Sequence, residues 1–250
     1  MQPKIALITG GARRIGAGIA ASLHHQGMNI ILHYRKSKEE AQNLADKLNA
    51  QRPNSVAILQ MDLLDIAGIP GFIDRAKEIW GYFDVLINNA STFYPTPMGT
   101  VTVNQWNDLL GSNLTAPFFL SQAAMPILTE RNGCIINIID IKAERPGKLF
   151  PVYSIAKAGL WMLTKTLSKE FAPSIRVNAI APGAMIPPED HPLDSEEYQA
   201  MIHRIPLHRI GTAEDIAETV YFLIEHAPYI TGQMIAVDGG RGLCTASDRD

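Results

Sequence analysis

Short apolar runs recur along the whole chain, and nearly every one is followed by a segment of helical length. The runs are "KIALITG", "MNIILHYR", "SVAILQMD", "DVLINNA", "CIINIID", "IRVNAIAPG" and "QMIAVDGG". Most are apolar at consecutive rather than alternate positions, as strands are when both faces of their sheet are covered. Helix-like segments lie between them, near 14–27, 38–52, 65–81, 104–112, 117–131, 152–172 and 213–226. Strands buried on both faces and alternating with helices leave few architectures. The pattern predicts an α/β fold, a doubly wound parallel sheet of seven strands with helices on both faces. At 250 residues the chain suits one domain spanning 1–250.

"ITGGARRIG" directly follows the first run and opens the first helix. Gly10 permits a tight turn, Gly16 lets helix and strand pack closely, and amides at the helix start can meet a pyrophosphate. Arg14 stands where a middle glycine is expected. A strand before and a helix after make this a Rossmann-type dinucleotide site. The second run ends in His33, Tyr34, Arg35, Lys36 and Ser37. A carboxylate there would accept a hydrogen bond from a ribose 2′-hydroxyl. Cations and hydroxyls instead favour a 2′-phosphate through charge-assisted hydrogen bonds, so NADPH is the expected cofactor. Asp62, ending the third run, is placed to accept from the adenine amine. Asn88, Ala90 and Ser91, in the "NNAS" that ends the fourth, are placed beside the cofactor.

The formal charge of −3 and pI near 6.2 give no reason to expect nucleic acid or a membrane surface as partner. Two cysteines, Cys134 and Cys244, cannot build a disulfide framework and suit a reducing compartment. With neither a signal peptide nor an apolar run of membrane-spanning length, the expectation is a soluble, cytoplasmic protein.

The stretch "NIIDIKAERPGKLFPVYSIAKAGL" carries the chemistry. Tyr153 and Lys157 are four residues apart, which puts both on one helix face. A phenol beside an ammonium suggests a proton donor of depressed pKa. Asp140, thirteen residues upstream, would push that pKa back up. Together with the glycine turn, "NNA" and "APG" at 181–183, these residues resemble the short-chain dehydrogenase/reductase family over essentially all 250 positions. That resemblance implies that Tyr153 donates or relays the proton, that Lys157 binds the nicotinamide ribose and lowers the Tyr153 pKa, and that Asn113 supports a proton path. It adds Ile15, Leu63, Pro182 and Gly183 to the cofactor contacts. In that family a serine normally stands where this chain has Asp140.

A serine suits the polarising of a carbonyl oxygen. An aspartate can instead accept from N–H groups or pass a proton to a ring nitrogen, which points to a nitrogen heterocycle with a C=N bond. Phe93 is placed to stack on a flat substrate, and Arg14 to donate to phosphate and to an exocyclic oxygen. "TGGARRIG", "LHYRKS", "NNASTFYPTP" and the Asp140–Tyr153–Lys157 set resemble the pteridine reductase branch. The resemblance implies a pterin sandwiched between Phe93 and nicotinamide, with Ser91, Arg14, Asp140 and Tyr153 on its polar groups. It also implies a homotetramer joined through helices near 104–131 and 152–172. The expected activity is NADPH-dependent reduction of a dihydropterin, and of oxidised pterin or dihydrofolate, to the tetrahydro form. The rivals are a carbonyl reductase acting on 3-oxoacyl thioesters and, last, a non-catalytic NADPH sensor. The Pro-, His- and acid-rich stretch at about 184–210 follows a strand's carboxyl end and is a candidate substrate-covering segment.

Overall fold

In β1 (Ile5–Ile8) all four residues are buried. Ile5 and Leu7 pack into one apolar layer, Ala6 and Ile8 into another. The computed structural model of the protein describes residues 2–185 and 196–244. The two layers lie on either side of one sheet, completed by β2 (Asn29–Tyr34), β3 (Val56–Gln60), β4 (Val85–Asn88), β5 (Cys134–Ile138), β6 (Arg176–Pro182) and β7 (Met234–Val237). All pairings are parallel, in the order β3-β2-β1-β4-β5-β6-β7. Helices α1 (Arg14–His25), α2 (Lys38–Gln51) and α8 (Ala213–Glu225) cover the Ala6/Ile8 face. On the opposite face lie α3 (Ile69–Trp80), α5 (Ala116–Arg131) and α6 (Pro151–Glu170). The predicted doubly wound architecture is therefore the one found.

One helical expectation differs from the structure. The segments near 104–112 and 117–131 are not separate helices. Instead, α4 (Val103–Leu110) runs into α5 through a π turn at Gly111–Thr115. The cause is Pro117, which lacks the N–H that would close on the Asn113 carbonyl and whose ring crowds it. The ladder widens to accommodate this, and the Ala116 N–H bonds to the Gly111 carbonyl five residues back. Within the stretch 184–210, expected to be a loop/helix segment, one helix, α7 (Glu196–His203), is present. The rest of that expected covering segment, 186–195, lies outside the described residues.

The chain leaves β1 for β2 on one side, and β4 lies on the other. Such a reversal of strand order opens a crevice above the carboxyl ends of the strands, where ligands bind in open α/β sheets. Among the described residues, no helix is long and apolar enough to cross a membrane.

Candidate active site

A cleft of about 710 Å³ opens at this crevice, lined from both halves of the sheet. Its floor begins with the glycine turn. Gly10 has φ +60°, and a Cβ there would lie 3.0 Å from the Ala90 Cα. A Cβ on Gly16 would lie 2.3 Å from the Gly10 carbonyl oxygen, so α1 is seated where only glycine fits. Between them Arg14 adopts φ +51°, a left-handed conformation that costs a non-glycine residue about 1 kcal/mol. The absent middle glycine thus leaves its mark as backbone strain. Arg14→Gly is expected to leave stability level or raise it by up to about 1 kcal/mol, strain relief being partly offset by the greater chain entropy of glycine. Dinucleotide affinity should weaken at the same time. Thermal melting and cofactor titration check the pair, and a clear loss of stability would assign the guanidinium a structural role instead.

Helix α1 has neither a side-chain cap nor an acidic residue in its first turn. Its leading amides and the positive end of its dipole therefore suit an anion. With a glycine cradle beneath, the pyrophosphate of a dinucleotide fits the donors present.

His33 has a different role from the one expected. The ring is buried, its Nδ1 accepts from the Gly10 N–H (3.1 Å), and Nε2 lies 3.0 Å from the Met61 carbonyl. These backbone partners assign the proton to Nε2. Burial draws the pKa down to about 4, so the ring is neutral near pH 7. The His33 carbonyl accepts from the Gly11 N–H as well (3.0 Å). His33 therefore fastens the glycine turn and brings no charge to a phosphate.

Arg35 and Lys36, both exposed, carry the charge at this end. Asp62, expected at the adenine amine, lines the cleft and has two partners of its own. Its Oδ2 pairs with Arg35 Nε at 3.0 Å and its Oδ1 accepts from the Leu64 N–H at 3.1 Å. That pairing steadies the guanidinium. Ser37 precedes α2 without a side-chain capping bond, and Tyr34 packs against Ala12 and Ala41.

Asn88 also departs from expectation. It lies on the Leu86 face of β4 and is buried, its Nδ2 donating to Asn137 Oδ1 (2.8 Å) in the core. The next residue, Asn89, lines the cleft and donates to the carbonyls of Thr9 (2.9 Å) and Gly10 (3.0 Å). Ile15, Leu63, Ala90, Pro182 and Gly183 line the cleft as expected.

At the other end, α6 carries Tyr153 and Lys157 one turn apart. Asp140 caps a single 3₁₀ turn after β5, its Oδ1 accepting from the Lys142 N–H (2.8 Å). The Tyr153 hydroxyl donates to Asp140 Oδ2 at 3.0 Å. Lys157 is buried and donates to the Ile138 carbonyl (3.0 Å). Burial lowers its pKa to about 8, against the opposing pull of Asp140. The expected depression of the Tyr153 pKa is reversed. Burial first, then the charge and hydrogen bond of Asp140, raise it, with Ser91 offsetting only part. Tyr153 consequently keeps its proton near neutral pH and is a poor general base.

Asn113 lies in the π turn and is fully buried. Its Nδ2 donates to the carbonyls of Thr92 and Leu109 (both 3.0 Å), and its Oδ1 accepts from Ser91 Oγ (2.8 Å). Its side chain therefore holds Ser91, which lines the cleft. Phe93 lines the cleft too and is 52% exposed, so it is not a core residue. One face is stacked on Phe150, with ring centroids 4.6 Å apart and planes 9° apart, and Tyr153 meets it edge-on at 4.8 Å. Phe150 escaped the sequence reading, because nothing local in "KLFPVY" announces a stacking partner fifty-seven residues from Phe93.

The charge of the cleft is lopsided. Arg13, Arg14, Arg35 and Lys36 line the end nearer the glycine turn and β2. Lys142, Lys157 and Arg241 line the other, and among the described residues the only carboxylates there are those of Asp62 and Asp140. Seven cations against two anions suit a polyanionic ligand. Among the described residues, no group of three or more His, Cys, Asp or Glu could hold a metal ion.

A family model for enoyl-(acyl carrier protein) reductases matches residues 10–241. The chain is similar to pteridine reductase 1 of Leishmania tarentolae, at 36% identity over 97% of each chain. It is similar also to a 3-oxoacyl-[acyl-carrier-protein] reductase of Staphylococcus aureus, at 37% identity over 95% of this chain and 97% of that one. The corresponding reductase of Staphylococcus epidermidis is 35% identical, over 95% and 98%. Identity alone does not separate the two substrate classes; the site residues must.

Proposed function

Because the chain belongs to the short-chain dehydrogenase/reductase family of nicotinamide-dependent oxidoreductases, we propose that it is an NADPH-dependent pteridine reductase. On this reading it reduces a dihydropterin, and also oxidised pterin or dihydrofolate, to the tetrahydro form. The observation that carries the reading is the Tyr153–Asp140 hydrogen bond of 3.0 Å. An ionised carboxylate only accepts hydrogen bonds. Beside the proton donor it opposes the negative charge that develops on a ketone oxygen, but it receives the N–H groups of a pyrimidine edge. The half-exposed Phe93 ring, fixed by Phe150, offers a flat wall for such a ring system.

NADPH, when bound, supplies hydride to the carbon of a ring C=N bond. Tyr153 gives its proton to the neighbouring nitrogen of an oxidised pterin. Asp140, engaged by substrate N–H donors, then opposes that release less. The Lys157 ammonium returns a proton to the phenol and is itself recharged from solvent, Asp140 holds the hydroxyl as acceptor, and Asn113 keeps Ser91 in place beside it. For the dihydropterin step the proton comes from water. Arg35, steadied by Asp62, together with Lys36 and Ser37 supports the choice of NADPH over NADH.

Exposed Trp106, Phe118, Met125, Ile155 and Met162 on α4, α5 and α6 support a homotetramer in which further copies cover this apolar face. Two free cysteines suit the cytoplasm.

The similarity to 3-oxoacyl reductases favours a second reading, carbonyl reduction. Both are tested by following NADPH consumption with 7,8-dihydrobiopterin, dihydrofolate and a β-ketoester, with NADH as the control. Turnover of pteridines with NADPH and little turnover of the ketoester is expected. Turnover of the ketoester alone would overturn the pteridine reading. Tight NADPH binding without any turnover would favour a sensor.

A further inference from the structure

Among the described residues two cations of the cleft, Lys142 and Arg241, serve neither the cofactor cradle nor the proton relay, and Lys142 is paired with Asp140 at 3.8 Å. Arg241 follows β7, the strand at the opposite edge of the sheet from the Arg35 end. It opens a 3₁₀ turn, Arg241–Leu243, that is firmly held. Asp238 Oδ1 accepts from the Gly240 N–H (2.9 Å), and Asp238 Oδ2 accepts from the Gly242 N–H. Gly240, at φ +87°, sits against Pro206, and Gly242 sits against Ile141 beside Asp140. Arg241 is thus set between the Asp140 turn and the segment following α7, and it lines the cleft with Met201.

The residue is half-buried, yet among the described residues its guanidinium forms no ion pair. Asp140, the carboxylate lining this end of the cleft, is already engaged by Tyr153 and Lys142, and Asp238 by the amides of Gly240 and Gly242. A partly desolvated guanidinium on a fixed turn is a ready fork for an anion. Its turn packs near Ile141, beside Asp140, which turns that anion to the substrate end of the cleft.

We propose that Arg241 is a specificity-determining residue that binds a carboxylate or phosphate on the tail of the pteridine substrate. This rests on the pteridine reductase reading, and the test separates the two.

The measurement is the dissociation constant of the NADP⁺-loaded protein for three ligands. Dihydrofolate carries carboxylates, 7,8-dihydroneopterin monophosphate a phosphate, and 7,8-dihydrobiopterin a neutral tail. In Arg241→Ala, the preference for at least one anionic ligand over dihydrobiopterin should fall roughly 10- to 100-fold, as expected for a charge-assisted hydrogen bond. Arg241→Lys should restore part of it, and added salt should erode the preference in the wild type but not in the alanine variant. A loss confined to dihydrofolate, or to the phosphate, identifies the anion. An unchanged preference, or equal losses on all three ligands, would overturn the proposal.

If no pteridine binds, the pteridine reading fails, and Arg241 is judged on acetoacetyl-coenzyme A against ethyl acetoacetate. The same selective fall there upholds the anion role. Its absence, or binding of no anionic ligand at all, overturns it.

Discussion

Tyr153→Phe is expected to lower kcat for a fully oxidised pterin by about 10²- to 10³-fold, the range for losing a positioned general acid. The loss for a dihydropterin should be markedly smaller if, as proposed, water serves as donor in that step. Phenylalanine keeps the edge-on contact with Phe93, now 4.8 Å between centroids, and removes only the hydroxyl bonded to Asp140. NADPH affinity should therefore change little, since Lys157 stays anchored on the Ile138 carbonyl. Steady-state kinetics on both substrates, with cofactor binding by fluorescence, provide the check. Equal losses on the two substrates would defeat the division of proton sources.

Asp140→Ser should move the enzyme in the opposite chemical direction. Serine can still accept from the Lys142 N–H as a cap, so the turn after β5 is retained. What disappears is the negative charge that helps hold the Tyr153 pKa up. For a general base the active form is deprotonated. A lower phenol pKa therefore shifts the acidic limb of NADP⁺-dependent alcohol oxidation to lower pH and raises the rate near neutrality. Ketone reduction should rise with it, and pteridine kcat/KM should fall roughly 10- to 100-fold for want of the N–H acceptor. Rate–pH profiles on an alcohol and a pteridine decide the matter. An acidic limb that does not move would mean burial alone sets the Tyr153 pKa.

The strands could be read from the sequence because burial on both faces makes them apolar at consecutive positions, as in β1 and β5. That Arg14 breaks the fixed grammar of a glycine turn is legible in the sequence, while the left-handed backbone angle it inherits is seen only in the structure. Asn88 shares a face with Leu86, so strand alternation turns it into the core and leaves Asn89 toward the cleft. His33 resisted because its neutrality depends on a burial that the basic "HYRKS" string conceals. Phe150 and Arg241 resisted for another reason. Each reaches the site only through packing between distant segments, Phe150 on Phe93 and the Arg241 turn against Pro206 and Ile141. The competition between Lys157 and Asp140 over the Tyr153 pKa is legible in the sequence, but not which side prevails. Its outcome needed the distances, with the carboxylate in hydrogen-bond contact and the ammonium turned to a backbone carbonyl.

The glycine turn is tied on both sides. The amides of Gly10 and Gly11 are held by His33, and the carbonyls of Thr9 and Gly10 by Asn89. Fixing one residue's backbone costs roughly 1–2 kcal/mol in conformational entropy. A phosphate loop that ordered itself around its ligand would meet that cost, residue by residue, at the moment of binding. Here it is met once, during folding, so the free energy of each amide–phosphate contact goes into affinity rather than ordering. Such a pre-organised turn should load its dinucleotide as a rigid receptor, leaving conformational adjustment to the substrate end of the cleft.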